Sequence, residues 1–96
     1  NVAGFVDVPS KEIGFGRVFP NPSSGLTCIE ITNDQSFNGS LSLVNVLGQT
    51  IETIHKGYFK GNSRKYFLDV SNYSSGLYVL KLMSNKGLKT IPLLIK

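Results

Sequence analysis

Apolar residues in this chain recur at every second position in short runs, and turn-forming residues separate the runs. From Leu26 to Thr32, Thr27, Ile29 and Ile31 share one face, while Leu26, Cys28, Glu30 and Thr32 share the other. Tyr66, Leu68 and Val70 alternate with Lys65, Phe67 and Asp69. Leu77 to Met83 sets Tyr78, Leu80 and Leu82 opposite Leu77, Val79, Lys81 and Met83. In the last run, Leu88 to Ile95, the inner set is Ile91, Leu93 and Ile95. Side chains of a strand point alternately to its two faces, so a period of two marks a half-buried strand. No stretch of helical period is long enough to compete.

Arg17-Val18-Phe19 predicts a short first strand, stopped by Pro20 and Pro22, each of which fixes φ near −65° and lacks an amide donor. The proline after Asn21 holds that residue extended, and Ser23-Ser24-Gly25 supplies a turn. Leu41 to Val46 and Thr50 to Ile54 flank Leu47-Gly48-Gln49, where glycine permits the positive φ of a tight hairpin. Leu41, Leu43, Val44 and Val46 are apolar on both parities, which predicts a strand buried on both faces or bulged midway. Asn33 to Ser36 reads as a polar loop, Asn38-Gly39 as a turn, Lys56 to Asn62 as a loop, and Asn85-Lys86-Gly87 as a hairpin turn. Pro92 belongs on an edge or at an unpaired position.

Residues 1–16 read as a linker from a preceding domain, interrupted by Gly4, Pro9, Gly14 and Gly16. Phe5, Val6, Val8, Ile13 and Phe15 can add a short edge strand within it. About seven strands at these spacings predict an all-β fold, an immunoglobulin-like β-sandwich of antiparallel strands with Greek-key links. Tyr78, in Gly76-Leu77-Tyr78, falls where such sandwiches pin a loop with a tyrosine.

Ninety-six residues make one small domain, and a chain of this size buries only about 60–65% of its unfolded surface. The longest apolar run, Ile91-Pro92-Leu93-Leu94-Ile95, is far short of a bilayer span. Asn1-Val2-Ala3-Gly4 lacks the basic and apolar segments of a signal peptide and has no initiator Met, as expected of the end piece of a larger protein. Charge is uneven. Residues 1–50 hold Lys11 and Arg17 against Asp7, Glu12, Glu30 and Asp34, a net of −2, and residues 51–96 hold eight basic residues against Glu52 and Asp69, a net of +6. Lysines on exposed strands keep edges soluble, and the same charge suits an anionic surface.

Catalytic chemistry has little to stand on. His55 is the only histidine, expected in an exposed loop beside Lys56, with no orienting partner apparent for a His55–Ser–Asp69 triad. Cys28 is a lone thiol expected to be a small buried hydrophobe, and one Cys with one His offers no metal set. Gly14-x-Gly16 lacks the third glycine of a phosphate loop. No catalytic, cofactor or metal residue is assigned. Lys56, Tyr58, Phe59, Lys60, Arg64, Lys65, Tyr66 and Phe67 interleave cations with aromatics, but two arginines in all are few for tracking phosphates, so no nucleic-acid partner is expected. Stacking of sugar rings on Tyr58, Phe59 and Tyr73, expected in loops, is the alternative binding function; the absence of Trp weakens it.

Taken in order, Phe19-Pro20-Asn21-Pro22-Ser23-Ser24-Gly25, Leu47-Gly48-Gln49, Gly76-Leu77-Tyr78 and a final apolar strand ending on Lys96 resemble the C-terminal sorting domain of the type IX secretion system of Bacteroidetes, over about residues 18–96. Phe19 stands where that family has tyrosine, and Pro92 in the last strand is a further departure. The resemblance implies a non-catalytic address label, read when folded by an outer-membrane translocon, cut near its start by a sortase, and often followed by attachment of the cargo to cell-surface lipopolysaccharide. It implies a sorting motif of Pro20, Asn21, Pro22, Gly25, Gly48, Gly76, Tyr78, Lys89 and Lys96. It also implies a cargo domain ahead of the label and transit through the periplasm to the surface. Self-association through an edge strand is a further way for such a domain to find partners.

Overall fold

The computed structural model of the chain describes residues 13–33, 35–61 and 64–96. Seven strands follow one another: β1 (Gly14–Phe19), β2 (Leu26–Thr32), β3 (Phe37–Asn45), β4 (Thr50–Phe59), β5 (Arg64–Asp69), β6 (Gly76–Ser84) and β7 (Gly87–Ile95). They form a three-stranded sheet in the order β1-β2-β5 and a four-stranded sheet in the order β4-β3-β6-β7, with every strand pair antiparallel. The chain changes sheet between β2 and β3, β4 and β5, and β5 and β6. This is the immunoglobulin-like β-sandwich expected from the period-two runs.

The inner faces are those the alternation marked. Ile29 and Ile31 from β2, Leu41 and Leu43 from β3, Leu80 and Leu82 from β6, and Leu93 and Ile95 from β7 are all essentially inaccessible. Burying each such side chain stabilises the fold by about 1.5–3 kcal/mol. Phe37 and Phe59 close one end of the core with stacked rings 4.6 Å apart. Asn33 ties the loops there, donating to Gln35 O at 2.9 Å and Lys60 O at 3.0 Å.

β3 answers the double-parity expectation twice over. Leu41 to Val44 are all buried, and the pairing with β4 shifts at Leu41/Ser42 and again at Leu43/Val44. The outer-face members, Ser42 and Val44, lie below their neighbours because β3 is central in its sheet.

Several boundaries differ from the sequence reading. β1 starts at Gly14 rather than Arg17, with Ile13 already in the core. The edge strand expected from Phe5, Val6 and Val8 lies outside the described residues. β4 runs through Gly57 to Phe59, where a loop was expected, because Gly57 takes φ +117° and keeps the pairing with Gly39. Asn38-Gly39 is not a turn but mid-strand in β3. Glycine is needed there for space: a Cβ on Gly39 would overlap the carbonyl oxygen of Met83 in the adjoining strand.

That crowding sets an expected result. Gly39→Ala must push β3 from β6 and should lower stability by about 3 kcal/mol, at the high end of point-mutant effects. Gly14→Ala, whose Cβ meets nothing within 4 Å, should stay within about 0.5 kcal/mol of the parent. Urea unfolding of both variants measures the difference, and equal stabilities would contradict the packing described.

Candidate functional site

β7 lies at the edge of its sheet, so alternate residues direct both N–H and C=O away from β6. The turn between β1 and β2 lies against this edge and satisfies it. The Asn21 side-chain amide donates through Nδ2 to Pro92 O at 3.0 Å and accepts at Oδ1 from Leu94 N at 3.1 Å. Two residues on, Ser23 N donates to Leu94 O and Lys96 N donates to Ser23 O, both at 2.8 Å, forming a parallel bridge opposite Ile95. Asn21 thus imitates a strand residue and Ser23 acts as one. Both peptide bonds into Pro20 and Pro22 are cis.

Pro92 fits this arrangement for a simple reason. Its carbonyl faces Asn21, so its nitrogen faces the same way and removes nothing from the β6 ladder. The edge location expected of it is therefore met.

The same turn reaches the other sheet. Ser23 is buried with its hydroxyl bonded to that of Thr27, also buried. Gly25 O accepts Val70 N at 3.0 Å, just beyond the end of β5. One short segment therefore joins β2, β5 and β7.

The other motif residues surround it at the same end of the sandwich. Gly48, at φ +84°, makes the β3–β4 turn, and Asn45 fixes that turn by accepting from Leu47 N at 3.0 Å and Gln49 N at 2.9 Å. Gly76, at φ +151°, opens β6 opposite Ile95. Tyr78 Oη donates to Ser74 O at 2.7 Å and pins the β5–β6 link, the tyrosine corner expected from Gly76-Leu77-Tyr78. Lys89 is the exception. It pairs with Leu82 toward the opposite end and lines an open cleft of about 380 Å³ with Ile13, Phe15 and Ile91.

Two carboxylates lie near the β5–β6 link. Tyr73 Oη donates to Glu52, and that bond first, with burial second, pushes the Tyr73 pKa up to about 12. Hydrogen bonds from the Ser71 side chain and amide hold Asp69 below its ordinary value. Sequence reasoning placed the prolines and glycines here but missed Asn45, Thr27 and Glu52. Only Asn45, ahead of a hairpin glycine, left a readable signal.

His55 lies in β4 rather than in a loop, its ring against Phe59 and Tyr66 and its Nε2 donating to Tyr58 O at 2.7 Å. Asp69 belongs to the other sheet, so the two are not brought together as a triad. Cys28 is buried on the outer face of β2, in register with Phe67 and Phe19. Of the aromatics considered for sugar stacking, Phe59 is in the core, Tyr73 is committed to Glu52, and Tyr58 remains exposed. Among the described residues no three His, Cys, Asp or Glu gather as a metal set, and no helix is long and apolar enough to cross a membrane.

The fold and the joint together define a small immunoglobulin-like β-sandwich module whose β1–β2 turn completes the edge of β7. Comparison with known families makes the assignment specific: residues 17–96 match the family described as Secretion system C-terminal sorting domain. The chain belongs to that family, whose members are type IX secretion signals, non-catalytic in general, directing export across the outer membrane. No curated protein matches the chain. Among solved structures it is similar to the crystal structure of the Ig1 domain of mouse SynCAM 2, with 18% identity, 91% of this chain and 95% of that chain covered, and a TM-score of 0.46.

The Tyr73–Glu52 bond predicts a pH dependence. Folding raises the phenol pKa, so its contribution is constant below about pH 10 and is lost as pH rises from about 10 to about 12. The stability difference between the parent and Tyr73→Phe should shrink across that window and stay flat below it. A difference independent of pH up to 12 would contradict the bond.

Proposed function

We propose that this domain carries a cargo protein through the type IX translocon as a folded signal, with the Pro20–Gly25 turn and the Pro92–Lys96 strand end forming one recognition surface. The observation behind this reading is the set of four hydrogen bonds between Asn21 and Ser23 and that strand end, two donated from each side. Pro20, Asn21, Pro22, Gly25, Gly48, Gly76, Tyr78 and Lys96 act through that shared end of the sandwich; Lys89 acts from elsewhere on β7. A sortase then cuts within residues 1–17, the segment that leads into the sorting domain. Cargo ends at the cell surface, often joined to anionic lipopolysaccharide.

A reporter fusion tests the reading. Residues 1–96 follow a periplasmic signal peptide and a fluorescent protein in hosts with and without the type IX translocon. Export should require the translocon, and deletion of Leu93 to Lys96 should trap the reporter in the periplasm. Mass spectrometry of the processed reporter should place the cut within residues 1–17. Export of the truncated fusion at the parent level would remove the strand end from the signal.

A further inference from the structure

The two outer faces of the sandwich differ in charge. On the three-stranded sheet, cations and carboxylates are mixed: Arg17 lies 3.8 Å from Glu30, and Lys65 pairs in register with Glu30. The four-stranded sheet is different. Leu80 and Leu82 point inward, so Leu77, Lys81 and Met83 point out. The registers extend this face to Lys56 through Ser40 and to Leu88 and Leu94 on β7. Among the described residues none of the carboxylates shares it: Glu30 and Asp69 belong to the other sheet, and Glu52, opposite the core residue Leu43, is bonded by Tyr73.

Large apolar side chains stand out from the same face. Leu77 and Leu94 at one end, and Met83 and Leu88 at the other, are 40–54% exposed. Beyond them the β3–β4 turn projects Val46 and Leu47, at 69% and 79% exposure, on a backbone held by Asn45. Exposed apolar groups of this size mark contact surfaces, and here, unlike Phe19, Leu26 and Phe67 on the three-stranded sheet, they share a face with none of the described carboxylates.

We propose that the outer face of β4-β3-β6-β7 is a docking surface for an anionic lipid layer. Charge complementarity argues for an anionic partner, because Lys56 and Lys81 share the face with none of the described carboxylates. The spread of the apolar groups argues for lipid over an acidic protein. They stand at both ends of the sheet, with Lys81 between them and Lys56 level with Met83 and Leu88, and a fluid interface accommodates all of them at once. Lysine stems lie along apolar surface while their ammonium groups reach the headgroups. The inference is independent of the sorting reading, which rests on the joint between the Pro20–Gly25 turn and the end of β7 and not on this face.

Co-sedimentation of residues 1–96 with vesicles tests it. Binding to vesicles of equal parts phosphatidylglycerol and phosphatidylcholine should exceed binding to phosphatidylcholine alone by about tenfold or more, and fall at high salt. Lys56→Glu with Lys81→Glu should bring it to the neutral-vesicle level, while Lys65→Glu on the other sheet should leave it near the parent. Leu77→Ser with Leu88→Ser should also weaken it several-fold, and thermal melts identify the folded variants. Equal binding to both vesicle types would overturn the proposal, as would equal losses from Lys65→Glu and the double lysine variant. Binding to polyglutamate as tight as to anionic vesicles would assign the face to an acidic protein instead. If a variant does not fold, the lipid and salt dependence of the parent chain decides.

Discussion

The constraint on which this structure turns is the exposed edge of its last strand. An edge strand presents unpaired amides and carbonyls, a standing invitation to wrong pairing. Here Asn21 and Ser23 satisfy Pro92, Leu94 and Lys96 in turn, using a side-chain amide for two bonds and backbone for two more. Each neutral bond contributes only about 0.5–1.5 kcal/mol net. Their effect is larger in kind than in energy. They connect the first turn of the domain to its final residues, and through Gly25 and Thr27 they tie that joint to both sheets.

This joint lies where the residues proposed as the sorting motif, Lys89 apart, gather at one end of the sandwich. Antiparallel pairing returns the β1–β2 turn, the β3–β4 turn, the β5–β6 link and the end of β7 to one end of the sandwich. Glycines 48 and 76 take positive φ to make that geometry, and Tyr78 holds the link between them. The sheet faces are left for other work. One carries mixed charge, and the other carries lysine and aliphatic side chains without a described carboxylate.

Much of this was legible in the chain. Period-two alternation located the strands, because the inner residues of a sandwich must be apolar and their neighbours need not be. The double-parity run read at Leu41 to Val46 is buried on both faces and bulged from Leu41 to Val44, while Val46 lies exposed beyond the end of β3. What failed was the reading of glycine. Gly39 and Gly57 looked like turn residues, yet one sits where a neighbouring backbone approaches too closely for a Cβ and the other carries a strand onward with positive φ. His55 was misplaced for the same reason, since its strand continued past the expected stop. The Asn21 clamp was unreadable for a different reason: its partners lie 71 and 73 residues away, and no local pattern encodes such a contact.

Native-state hydrogen exchange at the Ser23, Leu94 and Lys96 amides tests the central joint most directly, because each of the three donates one of its bonds. In the parent chain all three should exchange slowly and with similar protection. In Asn21→Ala their protection should fall together while the amides of Leu80 and Leu82 in β6 keep theirs. Leu94 and Lys96 exchanging as fast as open backbone in the parent chain, with a protected core, would show that the opening turn does not hold the last strand.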